Sequence, residues 1–144
     1  MDADADLRAL VTLQRAAYRI EAQLIGVPTL PALHERPSAL RASGELALGA
    51  EVGDRLVGAV TWKRSGDTVD IHRLVVDPAV FRQGIASALL ARLAEEEPDA
   101  RRTIVDAATR NHPAVALYQA RGFRRVSERT VAGGVRIIRL ERPA

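Results

Sequence analysis

The residues of this 144-residue chain best placed to do chemistry lie between Leu74 and Leu90. An apolar run (Leu74, Val75, Val76) stops at Asp77-Pro78. A short loop then carries Arg82, Gln83 and Gly84, and a helical pattern begins at Ile85. A strand, a glycine loop and a helix start together make an anion cradle. The first amides of a helix (here those of Ile85, Ala86 and Ser87) lack intrahelical partners, and the aligned peptide dipoles favour negative charge there. Gly84, without a Cβ, lets the main chain approach a ligand closely. A plain strand-to-helix turn would read the same way, and neither G-x-x-x-x-G-K-[ST] nor G-x-G-x-x-G is present. Other chemistries are excluded or unsupported. The absence of cysteine removes disulfides, thiolate zinc sites and a Cys nucleophile. His34 and His112 have no metal-ligand spacing to an acid, so no metal is expected, and no G-x-S-x-G elbow occurs.

The elements that must position these groups follow from periodicity. Leu7, Leu10, Val11, Gln14, Ala17, Tyr18 and Glu21 share one face at 3/4 spacing, which predicts an amphipathic helix that Leu24 and Ile25 could extend and Gly26 and Pro28 end. From Pro28 to Gly44 no period is sustained, and the expectation is loop with a short helical piece at Ser38–Arg41. Strands are expected over Leu46–Val52, Arg55–Arg64 and Thr68–Val76, turning at Gly53-Asp54 and Ser65-Gly66-Asp67. A helix from Ile85 stops by Pro98, and Thr103–Ala108 reads as a strand. A second helix from His112 has Asn111 as N-cap, Pro113 in its first turn and Gly122 past its end. Phe123–Val131 and Val135–Glu141 close as a hairpin through Gly133-Gly134. No linker or repeat is seen, so one domain over residues 1–144 is expected.

Composition sets the class. The chain is 47% hydrophobic and 27% charged, ordinary for a soluble globular protein. No run approaches the ~20 apolar residues that span a bilayer, and the acidic start has the wrong sign for a secretory signal. A cytoplasmic protein is the expectation. Lys63 is the only lysine among 21 basic residues, yet the net charge is only +3 and the arginines are scattered. Nucleic acid is therefore an unlikely partner, and a multiply phosphorylated small ligand accounts for some of the arginines.

Two stretches resemble the GNAT superfamily of acyl-CoA-dependent N-acyltransferases. Arg73-Leu74-Val75-Val76-x-Pro followed by Arg82-Gln83-Gly84-Ile85-Ala86-Ser87-x-Leu89-Leu90 looks like its acyl-CoA signature. Gly84 and Ala86 fill two fixed places of [RQ]-x-x-G-x-[GA]. The first place falls on Phe81, a departure that bears on one side-chain contact to pyrophosphate and leaves the backbone amides intact. Asn111 to Phe123 is similar to N-x-x-A-x-x-L-Y-x-x-x-G-F at every fixed position. The resemblance covers Leu46 to Leu140 and implies an α/β (α+β) fold, a twisted, mostly antiparallel mixed sheet with helices on both faces.

It also implies a site. A gap between two central strands, after Val76 and after Ala108, would admit the pantetheine arm of acetyl-CoA. The arm would bond the main chain of Leu74, Val75 and Val76, with pyrophosphate on the amides of Arg82, Gln83, Gly84, Ile85, Ala86 and Ser87. By physics alone Tyr118 is a buried aromatic beside Ala114 and Leu117; the resemblance implies that its hydroxyl meets the departing thiolate. Transfer of a phenol proton to a thiolate is uphill by about 2 kcal/mol at reference pKa values, so a strengthening hydrogen bond describes the role better. Asn111 would contact the pantetheine, or serve only as an N-cap, or both.

The acceptor should be an amine, which attacks only when neutral, and a lysine-like amine at pH 7 carries a deprotonation penalty of roughly 4–5 kcal/mol. The candidate bases are Asp106, His72, Asp70 and Glu51. Asp106 lies where the branch of the family that acetylates protein N-termini carries a glutamate; an arginine-paired carboxylate is its other reading. His72 and Asp70 share a strand face, and His72 reads equally as a solvated or cross-strand-paired residue. Trp62 reads as core or cross-strand packing, with lining of the acceptor site as its other reading. The expected function is N-acetyl transfer from acetyl-CoA to a primary amine by direct attack in a ternary complex, in a homodimer as is common in the family. The alternatives are a non-catalytic acyl-CoA sensor, which Phe81 favours and Tyr118 opposes, and a basic nucleic-acid-associated domain.

Overall fold

The structure, a computed structural model, describes residues 3–25, 42–81 and 83–143. The expected helical piece at 38–41, the loop before it, and Arg82 lie outside those residues. The described elements run α1 (Ala3–Ile25), β1 (Leu46–Val52), β2 (Arg55–Ser65), β3 (Thr68–Val76), a 3-10 turn (Pro78–Val80), α2 (Ile85–Glu96), β4 (Arg102–Ala108), α3 (His112–Ala120), β5 (Arg124–Thr130) and β6 (Arg136–Pro143).

The strands form one six-stranded sheet in the order β1-β2-β3-β4-β6-β5. Every pairing is antiparallel except that of β3 with β4. Side chains alternate across the sheet, and each face receives its own helices. On one face Leu10, Val11 and Leu13 of α1 pack on Ala59 and Val75. On the other, Leu89, Leu90 and Leu93 of α2 and Val115 and Tyr118 of α3 pack with Val60, Val69, Ile71, Val105 and Leu140. Trp62, 4% exposed, belongs to this second core, as its sequence position suggests.

Two features of this frame shape the site. Glycine at position 58 lets α2 come down onto β2, since a Cβ there would lie 2.7 Å from Ile85 Cγ2 and 3.3 Å from Leu89 Cδ1. A β-bulge then interrupts the β2–β3 ladder: Thr61 pairs with Arg73 and Trp62 with Ile71, leaving His72 as the extra residue. Bulges bend and twist the strand that carries them. Parallel pairing of β3 with β4 runs only from Thr68↔Arg102 to Ile71↔Val105 and stops at that bulge. The gap thus lies between the two expected strands but opens earlier than expected, after Ile71 and Val105 rather than after Val76 and Ala108.

Candidate functional site

Beyond Ile71↔Val105 the ladder between β3 and β4 ends, while β3 stays bonded to β2 through Gly58↔Val76, Ala59↔Val75 and Val60↔Leu74. A cavity of about 600 Å³ occupies the opening. Leu74, Val75 and Val76 form one wall, Ile85, Ala86 and Ser87 of α2 another, and Asn111, Leu117 and Tyr118 of α3 a third. Most of the lining is apolar, as suits a long flexible ligand arm threading between strands.

At one end of this cavity stands the N-terminus of α2. Its N-cap is Gly84, at φ +76°, and no side chain caps the helix. The first intrahelical bond recorded there joins the amide of Ala88 to the carbonyl of Gly84, so the amides of Ile85, Ala86 and Ser87 are left to other acceptors. A Cβ on Gly84 would have nothing within 4 Å, so the space beyond it is open. Gln83 is exposed. Phe81, in the place the signature gives to Arg or Gln, is 44% exposed and lines the cavity with Val80. An acyl-CoA fits these residues: open space over a glycine, uncapped amides for a pyrophosphate and an apolar passage for the arm.

A second, polar cavity of about 120 Å³ adjoins the first and shares Tyr18, Glu21, Leu74, Asn111, Ala114 and Tyr118 with it. Its remaining walls include His72, Arg73 and Asp106. Tyr118 is 5% exposed, and its ring meets Phe123 edge-on at 5.4 Å. Arg142 lies 4.9 Å over the other aromatic of this pair, Phe123. Burial, followed by the neighbouring Tyr18 and the Glu21 carboxylate, pushes the Tyr118 hydroxyl well above its ordinary pKa, so it keeps its proton throughout the physiological range. Asn111 is the N-cap of α3, its Oδ1 accepting from the amide of Ala114 at 3.3 Å, and it lines both cavities.

The candidate bases differ in setting. Asp106 stands opposite Arg139 on β6 and accepts from Arg139 Nε at 3.0 Å and from Arg129 Nη2 at 2.8 Å. Burial pushes its carboxyl up, but the two guanidinium groups outweigh that and hold it below the ordinary range. A carboxylate so held is a poor proton acceptor. His72 has Nε2 3.4 Å from Asp70 and Nδ1 3.8 Å from Glu45. Glu51 is exposed on β1, away from both cavities.

Two acids escaped the sequence reading as functional groups. Glu45, just before β1, binds Arg73 in a two-pronged pair (Nε–Oε1 2.8 Å, Nη2–Oε2 3.0 Å) and also accepts from Thr61. Arg73 reaches Gln14 of α1 at 2.9 Å, so the buried polar residue on the α1 face has its partner. Burial pushes the Glu45 carboxyl up; the bonds from Arg73 and Thr61 and the charge of Arg73 outweigh it and bring it down to about 2. Nothing in the sequence pairs residue 45 with residue 73. Glu21 is half-buried where the cavities meet, hydrogen-bonded to Asn111, with its pKa raised chiefly by burial. Its signal was visible: an acid on the apolar face of an amphipathic helix.

A twisted mixed sheet, splayed between its two parallel strands over a bare helix N-terminus, defines a class of acyl-CoA-handling folds. The family model for the acetyltransferase (GNAT) domain matches residues 30–142, and the chain belongs to that family. Among solved structures it resembles the ribosomal-protein-S18-alanine N-acetyltransferase of Escherichia coli, with a TM-score of 0.77 at 19% identity over 96% of this chain and 88% of that one. It also resembles the PaiA N-acetyltransferase of Thermoplasma acidophilum in complex with coenzyme A, at TM-score 0.77, 16% identity and 98% and 94% coverage. At such identities the likeness shows the fold. A curated relative, the UPF0157 protein YqkA of Bacillus subtilis, is 34% identical over 128 residues, which are 89% of this chain and 37% of the relative. The chain therefore spans little more than a third of that protein. Among the described residues no helix is long and apolar enough to cross a membrane.

Proposed function

We propose that this chain transfers an acetyl group from acetyl-CoA to a primary amine, by direct attack within a ternary complex and without a covalent enzyme intermediate. The observation that carries the reading is the meeting of two unlike cavities at Tyr118: an apolar passage fit for an acyl-thioester arm, and a polar chamber fit for an amine. In this reading the edge of Leu74 to Val76 bonds the pantetheine, and the amides of Ile85, Ala86 and Ser87 receive the pyrophosphate with Gln83 nearby. Asn111 holds the arm at the start of α3. The thioester supplies an activated acetyl carbonyl.

Tyr118 donates a hydrogen bond to sulfur as the C–S bond breaks. Its raised pKa makes full proton transfer to a thiolate still more uphill than the ~2 kcal/mol of the reference values, so stabilisation of developing charge is its contribution. His72 faces the amine chamber, whereas Asp106 there orders Arg129 and Arg139. The acceptor is an amine of a small molecule or a protein, the latter class being named for the Escherichia coli and Brucella melitensis neighbours. A homodimer remains the expected assembly.

The test is release of free thiol from acetyl-CoA in the presence of a panel of primary amines and alanyl peptides. Release that requires both the protein and one acceptor class supports the reading. Binding of acetyl-CoA with no release against any of them would leave the sensor reading instead.

A further inference from the structure

We infer that Glu21 of α1 is the group that takes the proton from the incoming ammonium, held in place for that task by Asn111. The inference rests on the acetyltransferase reading above and deepens it. Three observations carry it. Glu21 lines both cavities, so it stands at their junction, where an amine from the polar side must meet a thioester from the apolar side. It accepts a hydrogen bond from the side chain of Asn111, whose Oδ1 caps α3, so the carboxylate is tied to the helix that carries Tyr118. It is close enough to Tyr118 for its charge to act on that hydroxyl. A proton donor for sulfur and a proton acceptor for nitrogen thus stand together at one point.

The charged and titratable groups around this point favour Glu21 over its rivals. From β4, Asp106 is committed to Arg139 and Arg129. From β3, Arg73 is committed to Glu45 and Gln14. His72 lines the polar cavity only and leans on Asp70 and Glu45. From α1 and α3, Tyr18 and Tyr118 are phenols. Of the two carboxylates that line these cavities, Asp106 is held by two guanidinium groups, whereas Glu21 is hydrogen-bonded to Asn111 and burial raises its affinity for a proton.

One proton passes from the ammonium to a Glu21 oxygen and on to water. The freed nitrogen lone pair forms the N–C bond to the acetyl carbonyl, and the C–S bond breaks with its pair on sulfur. The second nitrogen proton neutralises that thiolate, which Tyr118 stabilises meanwhile. The products are the amide, free thiol and one proton.

The test compares wild type, Glu21→Gln, Glu21→Asp and His72→Gln, using acetyl-CoA with primary amines whose ammonium pKa spans roughly 7 to 10. Glu21→Gln should lower kcat/KM by about 10²–10⁴-fold for the most basic amines. The loss should shrink for the weakly basic ones and as pH rises, since a neutral amine needs no base. Glu21→Asp should restore part of the rate, and the acetyl-CoA thermal shift should persist in Glu21→Gln. In parallel, ¹³C NMR of carboxyl-labelled glutamate, assigned through Glu21→Gln, should show Glu21 titrating above the exposed glutamates. A uniform loss across all amines and pH values, a loss confined to His72→Gln, or a Glu21 carboxyl titrating with the exposed ones would overturn the inference. A wild type that neither shifts with acetyl-CoA nor acetylates any amine would instead sink the acetyltransferase reading, and this inference with it.

Discussion

Tyr118 is held by contacts that do not involve its hydroxyl: burial in the core and the edge of the Phe123 ring. Removing only the oxygen should therefore leave the fold unchanged. Tyr118→Phe is expected to lower turnover about 10- to 1000-fold, the scale of a single lost transition-state donor, with little change in acetyl-CoA affinity; single-turnover kinetics beside equilibrium binding would separate the two. Glu45 gives a stability test. Its carboxyl lies at about 2 in the folded chain against 4.5 ordinarily, so its contribution is complete above 4.5 and is lost as pH falls towards about 2. Wild type should lose about 3 kcal/mol over that window through this group, and Glu45→Gln should flatten that part of the pH–stability curve while being less stable at pH 7; denaturant titrations at each pH would measure it. At this scale the sequence was legible where a residue type sits in a motif, as for Gly84, Asn111 and Tyr118. It was opaque where partners are far apart in the chain, as for Glu45 with Arg73 or Asp106 with Arg129 and Arg139. One strand position can leave a carboxylate to solvent or commit it to two guanidinium groups, and only the register decides which.

Elements were the most readable level, because hydrophobic period and turn chemistry are local. The strands at 46–52 and 68–76 and the helices starting at 85 and 112 stand where period, glycine and proline put them. The bulge at His72 was not readable, since an extra residue shows only against its partner strand, and it is what advances the splay to Ile71 and Val105. Glycine at 58 was equally silent, although it sets the seat of α2. Gly58→Val would drive a side chain into Ile85 and Leu89 and should cost about 1–3 kcal/mol of stability while weakening acetyl-CoA binding through a displaced helix start. Gly84→Glu acts on the same helix by another route: a positive φ disfavours the side chain, and a carboxylate projects into the open cradle towards any phosphate. It should abolish the acetyl-CoA thermal shift in a protein whose far-UV circular dichroism is unchanged.

For the whole molecule, the two helical layers and the sheet between them serve to hold open one gap. The basic balance of 21 against 18 charged residues fits a phosphate-bearing ligand without requiring a polymer. The central claim is that the gap between β3 and β4, under α2, is an acyl-CoA site. Thermal unfolding with acetyl-CoA and CoA, beside ATP as a control for phosphate alone, tests it most directly. At 100 times its dissociation constant a ligand adds about 2.7 kcal/mol, or about 6 to 15 °C for a domain of this size. A rise of that order is expected with acetyl-CoA and CoA, none with ATP, and its loss in Gly84→Glu. No rise with either thioester or thiol, or an equal rise with ATP, would contradict it.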